Sequence, residues 1–399
     1  MIKTGIPILD DYLKGGIPIG KTVLYYATPG ADSEVFGMQT AYSNLANNGV
    51  CYFVTSKTSP DAVRSGFKEY GWDLKPHSSR LAIVDDYSAL VGAPSREPIS
   101  VKDPQSIESI DETISSIIEI ISPGDMLAFA SISTIFEECG GTEEAGDELL
   151  EYIKKWNKTA ALNGGIVVYS FNDRGYDPAF IERMKKGMCN ASVIIGRVSG
   201  NGRYGQYFKL YSCDWSKPQE LPTLYKTVRP GGIKIYIPKI IVTGPHSAGK
   251  STFVRTAASL SQDKSVSVDR MGTTVAMDHA HIMLKGFTTD IFGTPGQARF
   301  APIMKAIARD TMGIILIVDS TNPQDLGSAA DILKTVNRDR TPYIVVANKQ
   351  DIKGAMSAEE IRSSMNIPDS VPVMRASALD SADVERALES MINKIVEVR

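Results

Sequence analysis

Cysteine and histidine are scarce in this chain, with four of each in 399 residues. Cys51, Cys139, Cys189 and Cys213 are scattered and form no C-x-x-C pair. That excludes a disulfide framework and a zinc site, and the thiols read as reduced in a cytoplasmic protein. No apolar run approaches the ~18 residues a membrane-spanning helix needs. No signal peptide is expected, and Ile2 stands where N-myristoylation requires glycine, so no direct membrane anchor is expected. Neither sign of charge dominates: 43 basic residues face 46 acidic ones, a net charge of −3. That balance gives no electrostatic case for a nucleic-acid partner or an anionic lipid surface. Low-complexity segments and Gly/Ser-rich linkers are missing too. What remains is an ordinary globular composition, 43% hydrophobic and 22% charged, at a length that suggests two or three domains.

Within it, Gly244-Pro245-His246-Ser247-Ala248-Gly249-Lys250-Ser251 is a full match to G-x-x-x-x-G-K-[ST]. An apolar β-branched run, Ile240–Val242, precedes it, and a helix-compatible stretch from Thr252 to Leu260 follows. In this pattern the loop N–H groups and the helix N-terminus wrap phosphates. Lys250 reaches the outer phosphates and the Ser251 hydroxyl takes a position on Mg²⁺.

Four further elements follow in order. Thr274 lies in a loop after the first helix. Gly293-Thr294-Pro295-Gly296-Gln297 follows a strand. Asn348-Lys349-Gln350-Asp351 follows the strand Ile344–Ala347, and Ser377-Ala378-Leu379 follows the last strand. The Asp351 carboxylate suits the guanine N1–H and 2-amino group, whereas adenine offers a bare acceptor at N1. The Lys349 stem can cover the base, and the Ala378 N–H is aimed at O6. Strands are expected at 239–243, 281–285, 289–292, 313–318, 343–347 and 372–375. Helical patterns alternate with them, the last carrying Val384, Leu388, Met391, Ile392 and Ile395 as a core stripe. This alternation predicts a mostly parallel sheet covered on both faces.

These residues resemble the Arf and Ras small GTPase superfamily over about residues 239–399. The likeness to Arf runs through Val318-Asp319-Ser320 and Ala347–Ile352, and Phe292–Phe300 is similar to a prokaryotic subfamily with an FGTPGQ signature. The resemblance implies binding of GTP and GDP with Mg²⁺ held by Ser251 and Thr274, Gln297 as the catalytic residue that orients the attacking water, and regulators or effectors as protein partners. Three departures bear on catalysis. The aspartate that holds Mg²⁺ through water in D-x-x-G is here Gly293. Asp290, an odd offset upstream on a strand, should face the other way, so a weaker or differently held Mg²⁺ is expected. His246 stands where Ras has glycine, either crowding the γ-phosphate or pointing to solvent. Arg270 lies four residues before Thr274. It is either a switch arginine in cis or a solvated loop residue.

The first half shows the same α/β grammar, with strands expected at 23–26, 51–56, 81–85, 126–131, 166–171, 192–198, 207–213 and 233–236. Helices are expected at 34–47, 60–70, 103–121 and 144–162. Thr4–Asp10, Gly15–Pro18, Ser59-Pro60 and Gly71–Leu74 resemble RecA-superfamily ATPases of the KaiC type over about residues 1–236. Where that family carries G-P-P-G-T-G-K-T, this chain has Ala27-Thr28-Pro29-Gly30-Ala31-Asp32-Ser33-Glu34. Ser33 replaces the lysine, with acids on both sides of it. The paired catalytic glutamates fall at Lys57-Thr58 and the metal-binding aspartate at Ala130. Three elements absent together imply a RecA-like fold without the ATPase reaction.

The expectation is therefore α/β, two P-loop-NTPase-type domains in tandem: residues 1–237 KaiC/RecA-like and residues 238–399 a small-GTPase domain. Only Ile237 and Pro238 separate the expected sheets, a span of at most about 7 Å, so the halves should not tumble freely. The leading function is a GTP-hydrolysing switch coupled to a dead RecA-like scaffold. The alternative is a GTP-loaded binding or assembly module with little hydrolysis, its first half forming homo-oligomer contacts. A DNA-handling ATPase fails on the missing ATP site and on the charge.

Overall fold

The computed structural model describes residues 1–198, 205–261, 278–294, 311–337 and 341–396. Thr274, Arg270, Gly296 and Gln297 lie outside these residues. The chain divides into two compact units, one built from Met1–Arg197 and Gln206–Ile235 and the other from Val198–Gly205 and Tyr236–Arg399.

The strands of the first unit are β1 (Thr22–Ala27), β2 (Cys51–Thr55), β3 (Leu81–Asp85), β4 (Ile99–Ser100), β5 (Met126–Phe129), β6 (Ile166–Asn172), β7 (Ala191–Val198), β8 (Gly205–Cys213), β9 (Thr223–Val228) and β10 (Gly232–Ile235). They form one sheet in the order β10-β9-β8-β7-β1-β6-β5-β2-β3-β4. The pairings of β1 with β6 and β7 are parallel, as are those of β2 with β3 and β5, whereas β8, β9 and β10 pair antiparallel. The apolar run of β1 is explained by burial on both faces. Val23 and Tyr25 pack with Phe36 and Leu45 on one side. Leu24 and Tyr26 pack with Ile114, Ile153 and Trp156 on the other.

Departures from the expected elements have local causes. The helix expected from 103 runs Ile107–Ile120, because the Ser106 hydroxyl caps it by accepting from the Ser109 N–H at 3.3 Å. Helices Pro7–Tyr12, Ile132–Glu138 and Pro178–Gly187 and strands β4 and β9 were not expected. They are short, and short apolar runs carry little periodicity.

In the second unit β11 (Lys239–Thr243), β12 (His279–Leu284), β13 (Phe287–Gly293), β14 (Thr311–Asp319), β15 (Tyr343–Asn348) and β16 (Val373–Arg375) lie in the order β12-β13-β11-β14-β15-β16. Only the β12–β13 pairing is antiparallel among the described ladders of this sheet. β14 is buried along its whole length. The helix Ser381–Ile395 buries Val384, Leu388, Met391, Ile392 and Ile395, which is the stripe read as core. Because β11 and its parallel neighbours all run one way, the loops after β11, β13, β14, β15 and β16 open at the same sheet edge.

Candidate functional site

At that edge β11 ends at Thr243 and the chain turns through Gly244. Its φ is +145°, and a Cβ there would lie 2.0 Å from the Ile317 carbonyl oxygen, so only glycine fits. Gly249 has φ +102°, and a Cβ there would lie 2.1 Å from Asn348 Nδ2. Gly249 is also the N-cap of the helix Lys250–Ser259 and brings no side chain to cap it. The first-turn N–H groups therefore form the kind of donor set that receives an anion. Pro245 and Ala248 are buried, His246, Ser247 and Ser251 are exposed, and Thr252 is half-buried.

Lys250 is buried and donates to the Pro245 carbonyl. Burial pushes its ammonium down to about 8, with the Asp278 carboxylate opposing that shift. A polyphosphate beside it would favour the charged form.

Asn348 joins the phosphate loop to the segments read as base-binding. Its Nδ2 donates to the Ala248 carbonyl at 2.7 Å, and its Oδ1 accepts from the Ala378 N–H at 2.7 Å. The Ala378 N–H, aimed at a guanine O6 in the sequence reading, donates here to Asn348. A buried amide must be satisfied at both ends. The Thr256 hydroxyl donates to the Ala378 carbonyl at 2.7 Å, and the Ser377 N–H donates to Asp383 Oδ2 at 2.8 Å. Lys349 has φ +66° and pairs with Asp319. Burial works to raise the Asp319 pKa, but the Lys349 ammonium and the Thr321 donors hold it below its ordinary value. The pair fixes the Lys349 stem, while Asp351 and Leu379 are exposed.

On the metal side, Gly293 ends β13, and Asp290 is turned away as expected. Asp290 Oδ1 accepts from His281 Nδ1 at 2.7 Å, on the opposite face of the strand. The sequence reading gave no role to Asp278 or Asp319. Asp319 carried a signal in Val318-Asp319-Ser320. Asp278 carried none, because its position depends on cross-strand register.

The first unit fills the corresponding turn differently. Ser33, at the family's lysine position, is fully buried, and both its N–H and its hydroxyl donate to Asn172 Oδ1, at 3.0 and 2.8 Å. Asp32 Oδ1 accepts the Glu34 N–H at 2.9 Å, occupying a donor of the helix N-terminus. Glu34 pairs with Lys57, one of the two residues at the glutamate positions. Burial raises the Glu34 pKa, and Asp32 adds to the effect while Lys57 opposes it.

Residues 2–176 match the KaiC ATPase family, and residues 234–395 match the ADP-ribosylation factor family. Among curated proteins the chain is similar to a UPF0273 protein of Aeropyrum pernix, 30% identical over 138 residues that cover 34% of this chain and 55% of that protein. A UPF0273 protein of Saccharolobus solfataricus is 30% identical over 138 residues, covering 34% and 49%. The chain spans about half the length of these curated relatives. Among solved structures, a KaiC-like protein from Pyrococcus horikoshii superposes with a TM-score of 0.45 at 19% identity, over 59% of this chain and 98% of that one. The fold is thus two α/β domains of P-loop-NTPase type in tandem, KaiC-like then Arf-like. No helix among the described residues is long and apolar enough to cross a membrane.

Proposed function

We propose, for a chain in which a KaiC-type domain precedes an Arf-type one, a guanine-nucleotide switch. In this reading residues 238–399 bind GTP and hydrolyse it slowly to GDP and phosphate. Residues 1–237 are a RecA-like scaffold without ATPase activity. The observation that carries the reading is the Asn348 bridge, which ties the Gly244–Ser251 loop to the Ser377–Leu379 segment. Phosphate and base recognition then share one frame.

In that frame the loop N–H groups and Lys250 hold the phosphates, and Asp351 selects guanine. Ser251 and Thr274 would hold Mg²⁺, which when bound neutralises charge on the β- and γ-phosphate oxygens. Gln297 orients a water whose oxygen bonds to the γ-phosphorus as the bond to the bridging oxygen breaks. Turnover is slow without a partner that supplies an arginine. Effectors and regulators would read the nucleotide state at the segments around Thr274 and Gln297, in the cytoplasm. Hydrogen exchange with GDP against a non-hydrolysable GTP analogue reports whether the state reaches residues 1–236.

The second reading, a GTP-loaded assembly module that barely hydrolyses and oligomerises through its first half, is favoured by Gly293 in place of the metal-directed aspartate. Phosphate release by wild type and by Gln297→Leu separates the two. The switch reading expects turnover lowered on the order of 10²-fold at unchanged GTP affinity. Equal, negligible release by both proteins supports the assembly module.

A further inference from the structure

Position 293 is where the Arf- and Ras-like pattern places the carboxylate that faces the metal, and here it is glycine. The antiparallel register of β12 and β13 pairs His279 with Phe292 and His281 with Asp290. One step further brings Asp278 opposite Gly293, where the Gly293 N–H donates to the Asp278 carbonyl at 2.8 Å. Residues directly opposite in a ladder share a face. The Asp290–His281 and Phe292–His279 pairs lie on one face. Asp278 and Gly293 lie on the other, with the buried Ala280, Ile282 and Ile291.

That second face looks at the helix Lys250–Ser259. A Cβ on Gly293 would lie 3.5 Å from Val254, one helical turn after Lys250, and 3.5 Å from Asp278 Oδ2. The Asp278 carboxylate therefore stands in the space into which a side chain at 293 would project. It has no hydrogen-bond or ion-pair partner among the described residues, and it is close enough to Lys250 to support that lysine's charge.

We propose that Asp278 supplies, from the neighbouring strand, the metal-directed carboxylate that position 293 lacks. The inference rests on the guanine-nucleotide reading above. The donors fit the ion: Mg²⁺ takes hard oxygen ligands and is held by one or two carboxylates with substrate phosphates and waters. The exposed Ser251 lies in the first turn of the helix whose Lys250 feels the Asp278 carboxylate. The exchange also explains the glycine. A Cβ at 293 would approach Asp278 Cβ to 3.3 Å, and a second carboxylate there would add like-charge repulsion. The chain carries one of the two acids, on the opposite strand.

The test is Mn²⁺ affinity of the GDP complex of the full chain, followed by electron paramagnetic resonance. Fluorescent GDP binding in EDTA is measured alongside. Asp278→Asn is expected to weaken Mn²⁺ binding about 10–100-fold and to leave GDP binding in EDTA unchanged. Asp290→Asn, on the other face, is expected to keep wild-type Mn²⁺ affinity. Adding Gly293→Asp to Asp278→Ala is expected to restore much of the lost affinity, a result that a purely structural role for Asp278 does not produce. Wild-type Mn²⁺ affinity in Asp278→Asn, or an equal loss in Asp290→Asn, overturns the proposal. If Asp278→Asn does not fold, absence of rescue in the folded Asp278→Ala, Gly293→Asp pair overturns it. A wild-type chain that binds no GDP, with or without metal, overturns the underlying reading instead.

Discussion

The two halves build the same local device, a strand that turns through a loop into a helix, and fill it with opposite charge. After Thr243 the turn ends on a bare N-cap glycine and a buried lysine. After Ala27 it ends on a buried serine held by Asn172, with Asp32 already accepting a helix N–H. One loop leaves its donors and its cation to an anion. The other satisfies them internally and adds two acids. Fold and side-chain chemistry are thus separable: the strand, turn and helix survive in both halves, while a few side chains set the charge and the open donors of each turn.

The largest expected effect breaks the second loop. Lys250→Ala should weaken GTP and GDP binding on the order of 100-fold or more, as a charge-assisted contact to the phosphates is lost. The first half should not compensate by binding ATP. Tight ATP binding surviving in Lys250→Ala would show that the first half is still a nucleotide site.

The next effect is on stability and turns on pH. Burial holds Lys250 down at about 8. Between about 8 and the ordinary lysine range, the unfolded chain therefore binds more protons than the native one. The contribution of this group to unfolding free energy rises with pH through that window, by at most ~1.4 kcal/mol per pH unit. Below the window both states are charged and the burial penalty is full. Urea unfolding of the nucleotide-free protein at pH 8 and pH 10 should show that rise in wild type relative to Lys250→Met. Parallel pH dependence in the two proteins would contradict it.

Smaller still is the effect on base choice. Asp351→Asn should reduce the preference for GTP over ATP by about 10–100-fold, since the amide offers one acceptor where the carboxylate offered two. Competition binding reads it directly. The mildest effect lies in the first half. Asn172→Ala removes the acceptor of Ser33 and should cost about 1–2 kcal/mol in urea unfolding, without changing guanine-nucleotide affinity. A change in that affinity would mean that the two loops are not independent.

Much of this was legible without coordinates. The strands Lys239–Thr243 and Leu81–Asp85 have the bounds expected of them. Gly244 and Gly249 announce their turns, because close backbone approach and positive φ need glycine. The short strand β9 and the helix Ile132–Glu138 escaped because so few residues show no period.

The sequence by itself determined the two α/β halves, the intact loop at 244–251 and the altered one at 27–34. It also predicted that Asp290 faces away from Gly293, since strand alternation is a local rule. Cross-strand partners are set by register, which no local window contains. Only the tertiary structure placed Asp278 opposite Gly293, took the Ala378 N–H for Asn348, and joined Ser33 to Asn172. Each of these contacts spans residues distant in sequence, and each is decided by which strands become neighbours and in what alignment.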